Sequence, residues 1–133
     1  MSGETNLDAL IATMSAQLVG GLFVFVTLPG GRVPDGLAPR MVFQEAEGTT
    51  LIVTKVEAEA HGLAYEFPCR MITLNVHSAL EAVGFLARIT TELARHDMGV
   101  NPVSGFYHDH LFVPDGREHD AMEALKQLSS ETR

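Results

Sequence analysis

The chain has 133 residues, an apolar fraction of 46% and a formal net charge of −8. That length supports one ordinary domain, or two very small ones around a common core, with about two thirds of the unfolded surface buried and no need for a disulfide or structural metal. The acidic balance and the scatter of its nine Lys and Arg residues argue against a nucleic-acid backbone or an anionic membrane as partner.

The N-terminus, MSGETNLDAL, lacks the basic start and apolar core of a signal peptide, and no apolar run approaches the ~18 residues of a membrane span. The single Cys69 has no cysteine to pair with and reads as a small buried hydrophobe more readily than as a nucleophile. A soluble cytoplasmic protein is expected.

Leu7, Leu10, Ile11, Met14 and Leu18 fall at helical spacing, predicting an amphipathic helix over 6–18. Thr5 or Asn6 can cap it, and Gly20-Gly21 stops it. Residues 22–27 are apolar, β-branched or aromatic throughout, as in a central strand. A Pro- and Gly-rich loop follows to Pro39. Residues 41–45 and 50–53 predict a hairpin turning at Glu47-Gly48. Thr54 stands three residues before Glu57, a capping box opening a short helix that ends at Gly62. Residues 65–67 predict a short strand, separated by Pro68 from the second half.

That half opens on the strand Arg70 to Val76. Ser78, three residues before Glu81, predicts a cap for a helix from Ala79 to about His96, with Phe85 on its polar face. Strands are expected from Val100 to Gly105 and from His110 to Val113. A last helix should run from about Arg117 to Leu128, capped by Asp115.

The two halves echo each other. Phe43 to Ala60 and Phe106 to Met122 both run strand, turn, strand, cap, helix, each after a separate apolar strand. The expected fold class is α+β: two ferredoxin-like, βαββαβ-derived units with antiparallel sheets and helices on one face. The first unit, residues 1–68 with its leading helix, lacks the helix between its first two strands. The second, residues 69–133, lacks only a final strand.

Three stretches carry a family resemblance: FQEAEGTTLIV, Val76-His77-Ser78, and the run Tyr107-His108-Asp109-His110. Together with the strand at 22–27 they resemble a family of small bacterial proteins of unknown function with tandem ACT-like domains, and the likeness covers almost the whole chain. The resemblance implies a regulatory module that binds amino acids, often at an interface between domains or subunits. It places the ligand at the turn His77-Ser78-Ala79-Leu80, facing the start of a later strand, and matches Gly99-Val100-Asn101 to the family's Gly-hydrophobic-Asn element. Typical ACT domains carry Asp at that turn, where this chain has His77-Ser78.

Physical reading of the residues converges on the same place. In a ferredoxin-like unit the end of the first strand lies near the start of the third, which brings His77 toward His108-Asp109-His110. His108 and His110 share a strand face and Asp109 points the other way. A carboxylate could sit at the following helix N-terminus, with Asn101 or Asp109 taking an ammonium group. Bland alternatives stay open: Ser78 as a helix cap, Asn101 as turn chemistry, the histidines as a structural cluster. His77, His108 and His110 could also hold a divalent metal. No Walker loop, G-x-S-x-G or H-E-x-x-H motif is present, and no cofactor is implied.

A non-enzymatic, ligand-binding regulatory module acting as a homodimer is the leading expectation. Its dimer rests on an unpaired sheet edge and an exposed Phe85. A small metal-dependent or His-assisted enzyme, and a structural partner in a larger complex, are the alternatives.

Overall fold

Asn6 accepts a hydrogen bond from the Ala9 amide at 2.9 Å and caps the first helix, α1 (Leu7–Thr13). The computed structural model describes residues 6–76 and 82–132. After α1 come β1 (Ala16–Leu28), β2 (Met41–Gln44), β3 (Thr49–Thr54), α2 (Lys55–Ala60), β4 (Glu66–Leu74), α3 (Phe85–Ala94), β5 (Asn101–Ser104), β6 (Asp109–Pro114) and α4 (Glu118–Thr132).

The chain packs as two compact units, one of residues 21–69 and the other of the chain before residue 21 and after residue 69. β1 and β4 each run through both units. In the first unit the strand order is β2-β3-β1-β4, and in the second it is β1-β4-β6-β5. Each unit therefore has the four strands of a ferredoxin-like sheet, and the class is α+β as expected. The final strand that the second unit lacks in sequence is supplied by residues 16–20. Asn75, just past β4, donates its amide to the Ser15 carbonyl at 2.7 Å, which ties the end of β4 to the start of β1.

Residues 16–20 are thus strand, although their apolar spacing predicts helix. Met14 already has extended backbone (φ −68°, ψ 148°), and Leu18, the last residue of the helical pattern, is exposed. Gly20-Gly21 lies inside β1 and does not stop a helix. β4 likewise passes straight through Pro68, where a break is predicted. Phe67 takes a positive φ of 57°, a local kink that lets the strand continue past the proline.

In the first unit Thr54 accepts from the Glu57 amide at 3.1 Å while Glu57 Oε1 accepts from the Thr54 amide at 3.1 Å, the expected capping box. The other oxygen, Oε2, accepts from the Ala38 amide at 2.9 Å, so Glu57 also ties down the 29–39 loop. Val33 and Leu37 of that loop pack on the core of Val24, Val26, Leu51, Val53 and Ala58. The loop covers sheet that a helix covers in a complete unit, which is why this half tolerates the missing helix.

The second unit packs α1, α3 and α4 against one sheet face, in a core that includes Leu10, Ile11, Ile72, Leu74, Leu93, Leu111, Val113 and Leu125. α3 begins at Phe85 rather than near Ala79. Its N-cap is Gly84 in left-handed backbone (φ 89°), with no side-chain cap, and residues 82–84 are not helical. The expected cap at Ser78 lies outside the described residues. Phe85, predicted on the polar face, lies in the core at 3% exposed, because it stands four and eight residues before the buried Ile89 and Leu93 and so shares their face. At the other end Arg117 donates to the His96 and Asp97 carbonyls at 2.7 and 3.4 Å and so ties the turn after α3 to the segment that leads into α4. Asp115, expected as the cap of α4, accepts from Arg70 Nε at 2.9 Å and ties that turn to β4.

Candidate functional site

The two hairpins repeat with a constant offset of sixty residues. In β2–β3 Met41 faces Ile52 and Gln44 faces Thr49, while in β5–β6 Asn101 faces Phe112 and Ser104 faces Asp109. Each closes through a backbone bond of 2.9 Å, Glu45 N–H to the Gly48 carbonyl and Gly105 N–H to the His108 carbonyl, and the first adds Gly48 N–H to the Glu45 carbonyl at 3.3 Å. β3 and β6 show the same sequence of buried and half-buried positions. Phe43 therefore corresponds to Val103, not to Phe106 as the sequence echo aligns them.

On this shared frame the side chains differ at the start of the third strand. Where one unit has Gly48-Thr49-Thr50, the other has His108-Asp109-His110. Gly48 has no room for more: a Cβ there would stand 2.9 Å from the Leu28 carbonyl oxygen. His108, in contrast, sits with Nδ1 3.5 Å from the Val76 carbonyl oxygen.

Strand alternation sends Asp109 to the helix side with Leu111 and Val113, and it is 7% exposed. His110 faces the other way, half-buried. Its Nδ1 is hydrogen bonded at 3.0 Å to the Thr73 hydroxyl of β4. The His108 and His110 rings lie 6.5 Å apart, nearly perpendicular. Beside them at the hairpin tip Phe106 and Tyr107 stack edge to face at 5.1 Å and are about two thirds exposed.

The structure thus brings His108 and His110 together, with Asp109 adjacent on the opposite face. Asn101 shares the His110 face but is two residues further along the hairpin, roughly 7 Å. His77, Ser78, Ala79 and Leu80 lie outside the described residues. Among the described residues no three His, Cys, Asp or Glu side chains converge as a metal site. Thr73 was missed in the sequence because a strand threonine carries no motif. Only pairing of β4 with β6 shows that it faces His110.

No described helix is long and apolar enough to cross a membrane. No curated protein matches the chain. Among solved structures, a Vibrio cholerae protein of unknown function, described as a possible transport protein, is 38% identical with a TM-score of 0.84, covering 92% of this chain and 95% of that one. An Agrobacterium tumefaciens protein is 15% identical at a TM-score of 0.69, over 87% and 89% of the two chains. The regulatory subunit of aspartate kinase from Thermus thermophilus is 12% identical at 0.66, over 89% and 97%, a likeness of fold. Residues 2–70 match one ACT-domain family and residues 66–127 a second. Two ferredoxin-like units, a sixty-residue repeat and these two matches place the chain in the ACT-domain family, as a tandem pair.

Proposed function

We propose that the chain is a non-enzymatic regulatory module that binds a small molecule, an amino acid, at the start of the third strand of its second ACT unit. Family membership supports the coarser part, a small-molecule-binding regulatory module. The fold is also that of a subunit described as regulatory for aspartate kinase. The observation that carries the site is the contrast between Gly48-Thr49-Thr50 and His108-Asp109-His110 on hairpins of identical register. Two hairpins of the same register thus carry titratable side chains at these positions on one copy only.

In this proposal His77, Ser78, Ala79 and Leu80 form the turn that receives the ligand carboxylate, and His108, His110, Asp109 and Asn101 supply the remaining polar contacts. Repeat units of 1–68 and 69–133 belong to the same proposal, supported by family matches that meet at 66–70. So do a cytoplasmic location and a homodimer. The dimer no longer draws support from Phe85, which is buried.

An amino-acid panel should raise the melting temperature and give a heat of binding, since a ligand held only by the folded state stabilises it by mass action. His108→Ala and His110→Ala should remove the effect. A full panel without a shift or heat would discard the ligand class. Near-stoichiometric zinc lost in His108→Ala would instead favour a metal-dependent role. Sedimentation as a monomer at high concentration would remove the dimer.

A further inference from the structure

In the first unit His61 ends α2 as its C-cap and reaches across to the 29–39 loop. Its Nδ1 lies 3.1 Å from the Glu57 carbonyl oxygen, and its Nε2 lies 3.2 Å from the Asp35 carbonyl oxygen. Both oxygens can only accept. A neutral imidazole carries one N–H, so either tautomer turns a bare nitrogen lone pair toward one of them. Only the doubly protonated ring donates to both. The last-turn carbonyls of α2 and the nearby Glu57 carboxylate also suit a positive charge there. The ring is exposed, so protons reach it without opening the fold.

The loop itself has the form of a strap. Gly30 and Gly31 at one end (φ 87° and 84°) and Gly36 toward the other (φ 89°) take left-handed backbone. Between and beside them Val33 and Leu37 rest on the core of Val24, Val26 and Leu51. Two polar contacts from α2 hold the strap on either side of Gly36: His61 on the Asp35 carbonyl, and the Glu57 carboxylate on the Ala38 amide at 2.9 Å. A Cβ at Gly36 would stand 3.4 Å from His61 Nε2, so the strap backbone comes close under the ring. The charged groups of the two elements are Arg32 and Asp35 on the strap, and Glu57 and the Lys55–Glu59 pair (3.9 Å) on α2.

We propose that His61 is a proton-operated latch on this strap. The protonated ring bridges α2 and Asp35 and keeps the strap closed on the core. The neutral ring keeps the contact within its own helix turn and gives up the one across to Asp35. Closing therefore takes up a proton, so lower pH favours the closed strap and rising pH loosens it. Histidine changes charge near neutrality, whereas Glu57, held below the ordinary carboxyl value, stays charged there. The segment that stands in place of the missing helix thus has an order set by proton concentration.

The test is amide hydrogen exchange of the full chain at about pH 6 and about pH 8, compared as protection factors, which divide out the intrinsic pH dependence. The Leu37 and Ala38 amides should be about fivefold less protected at the higher pH, the loss of one charge-assisted hydrogen bond at an exposed site. Amides in the middle of β1 and β3 should not follow them. His61→Gln, at an exposed position, should show the lower protection at both pH values. His108→Ala, in the other unit, should leave the difference in place. Equal protection at the two pH values, the same difference in His61→Gln, or a parallel change in β1 and β3 would each overturn the latch.

Discussion

Thr73 Oγ1 and His110 Nδ1 meet at 3.0 Å across neighbouring strands, and this bond joins the first and third strands of the second ACT unit at its candidate site. The counterpart of His110 in the first unit is Thr50, which pairs in register with Thr27 of β1. One repeat therefore puts hydroxyl opposite hydroxyl where the other puts hydroxyl opposite imidazole.

Replacing Thr73 by Val keeps the shape and removes the hydroxyl. Thr73 is 8% exposed, so its bond to His110 is largely shielded from water. The expected loss is about 1 kcal/mol, the usual worth of one partly buried hydrogen bond, read by denaturant unfolding. Unchanged stability would mean the bond is not formed in solution.

Phe85→Ala should be among the most damaging substitutions in α3, costing about 3–5 kcal/mol because it leaves a cavity in the core. The nearby Val83, 83% exposed, should accept Ala with a change within about 0.5 kcal/mol. Thermal or denaturant unfolding of the two variants distinguishes a buried Phe85 from one on the polar face.

Glu57 should make the fold pH-dependent. The Ala38 amide is the main cause that holds its carboxyl below the ordinary value. Burial works against that, and the Thr54 bonds and His61 add to it. A carboxyl whose pKa is lower in the folded than in the unfolded state stabilises the fold above its unfolded value, and that contribution disappears as pH falls through the folded value. Glu57→Gln should therefore be less stable than the parent at neutral pH, with the gap closing in acid. Thr54→Ala should cost about 1 kcal/mol as a lost cap. Unfolding curves across the acid range check both.

Cys69 is 0% exposed and donates its thiol to the Phe23 carbonyl at 3.4 Å. A thiol without solvent access does not act as a nucleophile. A thiol reagent should label it only on the timescale of unfolding, and full labelling in denaturant should restore the single expected equivalent. Rapid labelling of the folded chain would show that β4 opens locally.

Local rules made much of this legible in advance. The capping box Thr54–Glu57, the hairpins and the α+β class all rest on interactions within a few residues, and the structure forms them. The approach of His108 and His110 follows from the period of a strand.

Longer-range pairing decided the rest. Residues 16–20 carry a helical apolar pattern, yet they are strand because the second unit's sheet needs a fourth member and the Ser15 carbonyl receives the Asn75 amide. Phe85 is core because packing buries the stripe it shares with Ile89 and Leu93. Thr73 acquired its histidine only through the pairing of strands far apart in sequence. The chain by itself thus determined which residue patterns could form each turn, cap and hairpin. The tertiary structure chose which sheet each segment completes, because backbone hydrogen bonds and buried area between distant strands outweigh the weak preferences of any one segment.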